Sequence, residues 1–194
     1  MPPRLLAATL VVMLLGLSMQ AQSGSNARNC FIGAKDLLDD SAPQFQAYLA
    51  KPSAPIHPAR LDLSSNQIAK RYRTVIRREM SSGANFAGSY RVVIWGCGSS
   101  CAQFAVVNLK TGRVITATDV TSVSGIHLLA DDFLPKTNSD SWGFRFRKNS
   151  RLLVLIGALN EDDAKAGAFY FVLNDEKLSL VHKTIAARNT CDAD

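Results

Sequence analysis

The spacing of apolar residues changes character along the chain, and each change marks an element. From Phe31 to Lys51 the apolar residues Leu37, Leu38, Phe45, Tyr48 and Leu49 fall at helical spacing around Pro43, which predicts two short helical turns. Pro52, Pro55 and Pro58 then impose an extended connector, because each fixes its own φ and biases the preceding residue away from helix. His57 is a loop residue of that connector. From about Ser65 to Met80 the residues Ile68, Tyr72, Val75, Ile76 and Met80 share one helical face, and Lys70, Arg71, Arg73, Arg77 and Arg78 occupy the rest. Ser64 is placed to cap this helix, Gln67 three residues on completes a capping box, and Ser81-Ser82-Gly83 ends it. The basic outer surface reads first as a solvated face, with membrane-surface or partner binding as the functional alternative.

From Gly88 the period falls to two. Tyr90, Val92 and Ile94 alternate with Arg91, Val93 and Trp95 on one strand; Phe104 to Leu109 forms a second, and the turn Lys110-Thr111-Gly112 leads into a third, Arg113 to Thr118. Residues 119 to 141 look irregular and bridge to a second meander: Trp142 to Arg147, Leu152 to Ala158, Ala168 to Leu173 and Leu178 to Thr184. The fold class is therefore mainly β, with antiparallel meanders in one or two sheets and an amphipathic helix before the first. Two four-stranded units at most are too few for a closed propeller unless the chain oligomerises.

The N-terminus changes the compartment. Arg4 followed by the apolar run Leu5 to Leu17 and the polar Met19-Gln20-Ala21 has the three parts of a signal peptide, residues 1–21, and the run is shorter than the roughly 20 residues of a membrane span. No cysteine follows the apolar core directly, which argues against a lipid anchor. Residues 22–194 suit a single β-rich domain, periplasmic or secreted. Of 22 basic residues only Arg4 leaves with the signal, so 21 basic face 16 acidic and the mature charge is +5. That charge favours an anionic envelope polymer or an acidic protein as partner and makes nucleic acid a poor one outside the cytoplasm.

Four cysteines in an exported chain most simply form two disulfides. Cys97 and Cys101 are close enough to staple the turn in Trp95-Gly96-Cys97-Gly98-Ser99-Ser100-Cys101, which leaves Cys30 to pair with Cys191. Loop entropy assigns the long ring about 5 kcal/mol and the short one about 2 kcal/mol. A redox motif has two residues between its cysteines and a helix behind the first, and a zinc site wants two close pairs; neither pattern is present.

Candidate chemistry is sparse. Glu161-Asp162-Asp163 lacks the spacing and glycine of a calcium loop and reads as a hairpin tip. Neither Gly98-Ser99-Ser100 nor Ser122-Val123-Ser124-Gly125 fits a nucleophile elbow. The backbone N–H groups of Gly96 to Ser100 suit an anion cradle, but a tight disulfide-closed turn explains the same residues. His127 and His182 are the available general bases, and Asp119, Asp131 or Asp132 the acids to orient one. No catalytic residue, metal ligand or cofactor follows from these. The candidate binding residues are Arg145 and Arg147, which alternate with Phe144 and Phe146 and so face away from the core, extended by Lys148 and Arg151 at the adjoining turn.

Asn85-Phe86-Ala87-Gly88-Ser89-Tyr90, the Trp95 to Cys101 run and Phe104-Ala105-Val106-Val107 together resemble a group of exported bacterial proteins of unknown function. The likeness covers about residues 65–173, with the basic helix, the Lys110-Thr111-Gly112 turn and Ser150-Arg151-Leu152-Leu153. It implies a shared fold and brings no catalytic assignment. Ser89 stands where that group usually has histidine, so no role at that position carries over. The expectation is a non-enzymatic exported protein that binds an envelope macromolecule or inhibits an enzyme there; the alternative is an exported hydrolase with a site assembled from distant residues.

Overall fold

The computed structural model describes residues 39–124, 140, 141, 143–162 and 165–186. The expected signal peptide and the residues Cys30, Cys191, His127, Asp131, Asp132, Trp142 and Asp163 lie outside them.

The expected capping box does not form. Asp62 captures Ser64 instead, its Oδ1 accepting from the Ser64 N–H (2.9 Å) and hydroxyl (2.6 Å), while the Ser65 hydroxyl donates to the Asp62 carbonyl at 2.7 Å. These bonds hold the serines in a turn. The cap falls to Asn66, whose Oδ1 accepts from the Ala69 N–H at 2.9 Å. The single helix of the sequence reading is also two: α1 (Gln67–Arg71) and α2 (Arg73–Met80), separated at Tyr72, which leaves helical geometry at φ −107°, ψ 23°. Ala69, Ile76 and Met80 are buried, and Lys70, Arg71, Arg73, Arg77 and Arg78 are exposed.

The described residues form nine strands: β1 (Tyr90–Gly98), β2 (Cys101–Asn108), β3 (Val114–Ile115), β4 (Val123–Ser124), β5 (Asp140–Ser141), β6 (Phe144–Phe146), β7 (Leu152–Leu159), β8 (Gly167–Asn174) and β9 (Lys177–Ile185). All strand pairs are antiparallel, so the mainly β reading holds. The expected third strand shrinks to Val114–Ile115, and the supposedly irregular bridge contains the joint itself. β4 pairs with β2 at Cys101↔Ser124 and Ala102↔Val123, and with β7 at Val123↔Leu159 and Ser124↔Ala158. One sheet therefore runs through both meanders. A lone parallel bridge, Ala117 to Leu178, touches its far edge without closing it.

Folding the two meanders over each other buries three apolar layers. The central one brings Val92, Phe104 and Val106 of the first against Phe144, Phe146, Leu153, Leu155, Phe169 and Phe171 of the second. On the outside of the first, Val93, Ala105 and Val107 receive Ala69, Ile76 and Met80 of the helices, as the alternation in β1 requires. The outside of the second is also covered: Leu152, Val154, Ile156 and Val172 pack with Phe45 and Tyr48 of a 3-10 helix, Phe45–Tyr48. This explains why β7 reads as an unbroken apolar run rather than an alternating one; both its faces are core.

Residues 85–90 join the meanders. The Asn85 side chain acts as a short strand beside the edge of β1, its Oδ1 accepting from the Val92 N–H (2.8 Å) and its Nδ2 donating to the Val92 carbonyl (3.1 Å). Phe86 is fully buried against Phe146. The N–H groups of Ala87 and Gly88 donate to the carbonyls of Ser150 (3.1 Å) and Lys148 (2.6 Å) across the joint. Gly88 sits at φ +78°, and a Cβ there would run into the Lys51 carbonyl oxygen, so the position needs glycine on two grounds.

Candidate functional site

Five separate segments converge at that joint and leave a cleft of about 280 Å³. Lys51 comes from the proline connector, anchored by the Ala50 N–H to Asn149 carbonyl bond of 2.8 Å. Ser89 and Tyr90 come from the start of β1, and Lys110 from the turn after β2, whose N–H donates to Asn108 Oδ1 at 2.9 Å. Arg151 precedes β7 and donates to the Leu173 carbonyl (3.3 Å) and the Asn174 side chain, which fixes it to the far wall.

The far wall is the β8–β9 hairpin turn. Asp175 (φ 45°) and Glu176 (φ 57°) are both left-handed, as the two central residues of a tight turn with inverted twist must be. Glu176 accepts from Asn108 Nδ2 at 2.6 Å and pairs with Arg113 at 3.5 Å. Asn108 thus ties the Lys110 turn to the β8–β9 turn. The lining carries Lys51, Lys110 and Arg151 against Asp175, an excess of cations, with the Arg113-paired Glu176 nearby. Among the described residues neither Lys51 nor Lys110 has an ion-pair partner.

Tyr90 is half-buried at the floor. Burial raises its hydroxyl pKa above the ordinary tyrosine value of 10.0, and the nearby Glu176 and Asp175 charges add to the rise. The hydroxyl is a neutral donor across the physiological range. Two ammonium groups, a fixed guanidinium and a phenol are a donor set for an anionic group, a phosphodiester or a carboxylate.

The sequence-predicted binding arginines do not form one stripe. Arg151 lies in the cleft, but Arg145 and Arg147 lie half-buried on the opposite face of the second meander from Phe144 and Phe146, as the alternation predicts. Arg147 stacks over Phe45 at 4.9 Å and donates to the Phe146 carbonyl at 2.8 Å; Arg145 donates to the Phe144 carbonyl at 2.9 Å. The expected open outer face is partly occupied because the 3-10 helix packs there. Sequence alternation could not foresee that cover. No sequence pattern marks Lys51, Ser89, Tyr90 and Lys110 as binding residues; the 85–90 motif and the Lys110 turn are the available signals.

Among the described residues His182 has an acid in reach, Asp39 rather than the expected Asp119; Asp131 and Asp132 lie outside those residues. The His182 and Asp39 side chains meet at 2.7 Å on the outer face of β9, where the Thr184 hydroxyl also donates to Asp39 at 2.9 Å and the Ser41 hydroxyl at 2.6 Å. These bonds hold the Asp39 carboxyl well below its ordinary range, Ser41 contributing most, then His182 and Thr184. Among the described residues Thr184 is the one hydroxyl within reach of the His182 ring, and it is already committed to Asp39. The arrangement ties the segment before the 3-10 helix to the sheet. Cys97 and Cys101 are bonded, with Cα atoms 5.2 Å apart, in an exposed loop at the other end of β1 from Tyr90. Among the described residues no cluster of His, Cys, Asp and Glu is arranged to hold a metal ion, and no helix is long and apolar enough to cross a membrane.

No family model, curated protein or solved structure matches this chain.

Proposed function

We propose that the chain is an exported, non-enzymatic binding protein, periplasmic or secreted, which holds an anionic group of an envelope polymer in the cleft between its meanders. The observation that carries this reading is the convergence of Lys51, Lys110 and Arg151 from three distant segments onto one cleft, the two lysines without acidic partners among the described residues. A solvated surface scatters its lysines, whereas here Asn108, Asn174 and the Ala50–Asn149 bond fix the backbone and side chains around them. The leader-like residues 1–21 and the Cys97–Cys101 disulfide support an oxidising compartment outside the cytoplasm, where such polymers occur.

Calorimetric titration of residues 22–194 with short oligomers of poly(glycerol phosphate) and, separately, of a polyuronate tests the reading and distinguishes phosphodiester from carboxylate. One of the two should bind, and Lys51→Ala/Lys110→Ala should weaken it about tenfold, as expected for two exposed ion pairs. Binding of neither oligomer, or equal binding by the double variant, contradicts the proposal.

A further inference from the structure

A second surface, independent of the cleft, lies on α1 and α2. Lys70, Arg71, Arg73, Arg77 and Arg78 are all exposed, and the one acid on these helices, Glu79, is held by Arg91 at 2.9 Å and approached by Arg78 at 3.7 Å. Five cations against one acid give this short stretch a net +4 of the chain's +6. Among the described residues Lys70, Arg71, Arg73 and Arg77 have no acidic partner.

The helix break places aromatic rings beside those cations. Tyr72, between Arg71 and Arg73, stacks on Trp95 with ring centroids 4.6 Å apart, and the Arg71 guanidinium lies 5.5 Å from the Tyr72 ring centre. Both rings are partly buried, each leaving an exposed part beside the cations, and the Trp95 ring N–H is satisfied by Gln103 at 3.0 Å. The apolar sides of the helices are spent on the sheet, through Ala69, Ile76 and Met80.

We propose that this face docks on an anionic lipid bilayer. Long cationic side chains reach headgroup phosphates while amphipathic aromatic rings suit the interfacial layer, the combination this surface presents. Because the helices' apolar side is already buried in the domain, the contact is superficial and electrostatic rather than an insertion, and it weakens as salt screens it.

The test is co-sedimentation of residues 22–194 with vesicles of phosphatidylcholine alone and of phosphatidylcholine with phosphatidylglycerol, at low and high salt. Binding should require phosphatidylglycerol and fall with salt. Arg73→Gln/Arg77→Gln should lower the partition coefficient about 30-fold, at about fivefold per charge, with an unchanged melting temperature because both side chains are exposed. Lys51→Ala/Lys110→Ala should retain vesicle binding, which separates this surface from the cleft. Absence of binding to the anionic vesicles, undiminished binding by the arginine variant, or capture on poly(glycerol phosphate) without capture on vesicles overturns the proposal.

Discussion

Asn85→Ala probes the joint between the meanders, because one side chain there satisfies both outward-facing backbone groups of Val92. The two hydrogen bonds measure 2.8 Å and 3.1 Å, and Val92 is 3% exposed, so water cannot readily replace both. Each bond contributes about 1 kcal/mol net, and an edge N–H or C=O left unsatisfied adds to the loss; the expected cost is about 2–3 kcal/mol. For a domain of this length that lowers the melting temperature by about 4–12 °C. Asn85→Asp keeps the acceptor for the Val92 N–H but sets an ionised oxygen against the Val92 carbonyl, so at neutral pH it should also melt below wild type. Thermal unfolding followed by circular dichroism makes the comparison. An Asn85→Ala melt within about 1 °C of wild type, or an aspartate variant as stable as wild type, refutes the edge-capping role.

Gly88→Ala combines a left-handed backbone with a collision at the Lys51 carbonyl, so it should cost about 2 kcal/mol or more, seen as a lower urea midpoint; an unchanged midpoint means the joint is not close-packed. Asp39 gives a pH signature: its folded carboxyl lies below the ordinary value of 3.8, so its contribution is present above that value and is lost as pH falls through it toward the depressed folded pKa. The melting-temperature gap between wild type and Asp39→Asn should therefore be largest above about pH 5 and shrink on acidification. A gap that widens on acidification contradicts the assignment.

The elements legible in the sequence were those whose period their own packing enforces. β1 alternates because its two faces meet different layers, Val92 the inner core and Val93 the helices. The second meander's hairpins were marked by their turns. What escaped was set by distant chain. Asp62 took Ser64 from its capping role, and the two-residue β4 was too short to show any period. Arg145 and Arg147 were placed on the correct face, but the cover from residues 45–48 acts across about a hundred positions of sequence. The cleft escaped for the same reason: Lys51, Lys110 and Arg151 are ordinary loop cations until the fold brings them together.

An anionic group entering the cleft perturbs the backbone amides that line it. Amide chemical-shift mapping of isotope-labelled residues 22–194, titrated with glycerol phosphate or a uronate monomer, tests it most directly. The shifts should concentrate at Lys51, Ser53, Ser89, Tyr90, Lys110 and Asp175 for one of the two probes, and disappear in Lys51→Ala/Lys110→Ala. Shifts confined to Arg145 and Arg147, or none at the cleft with either probe, would contradict it.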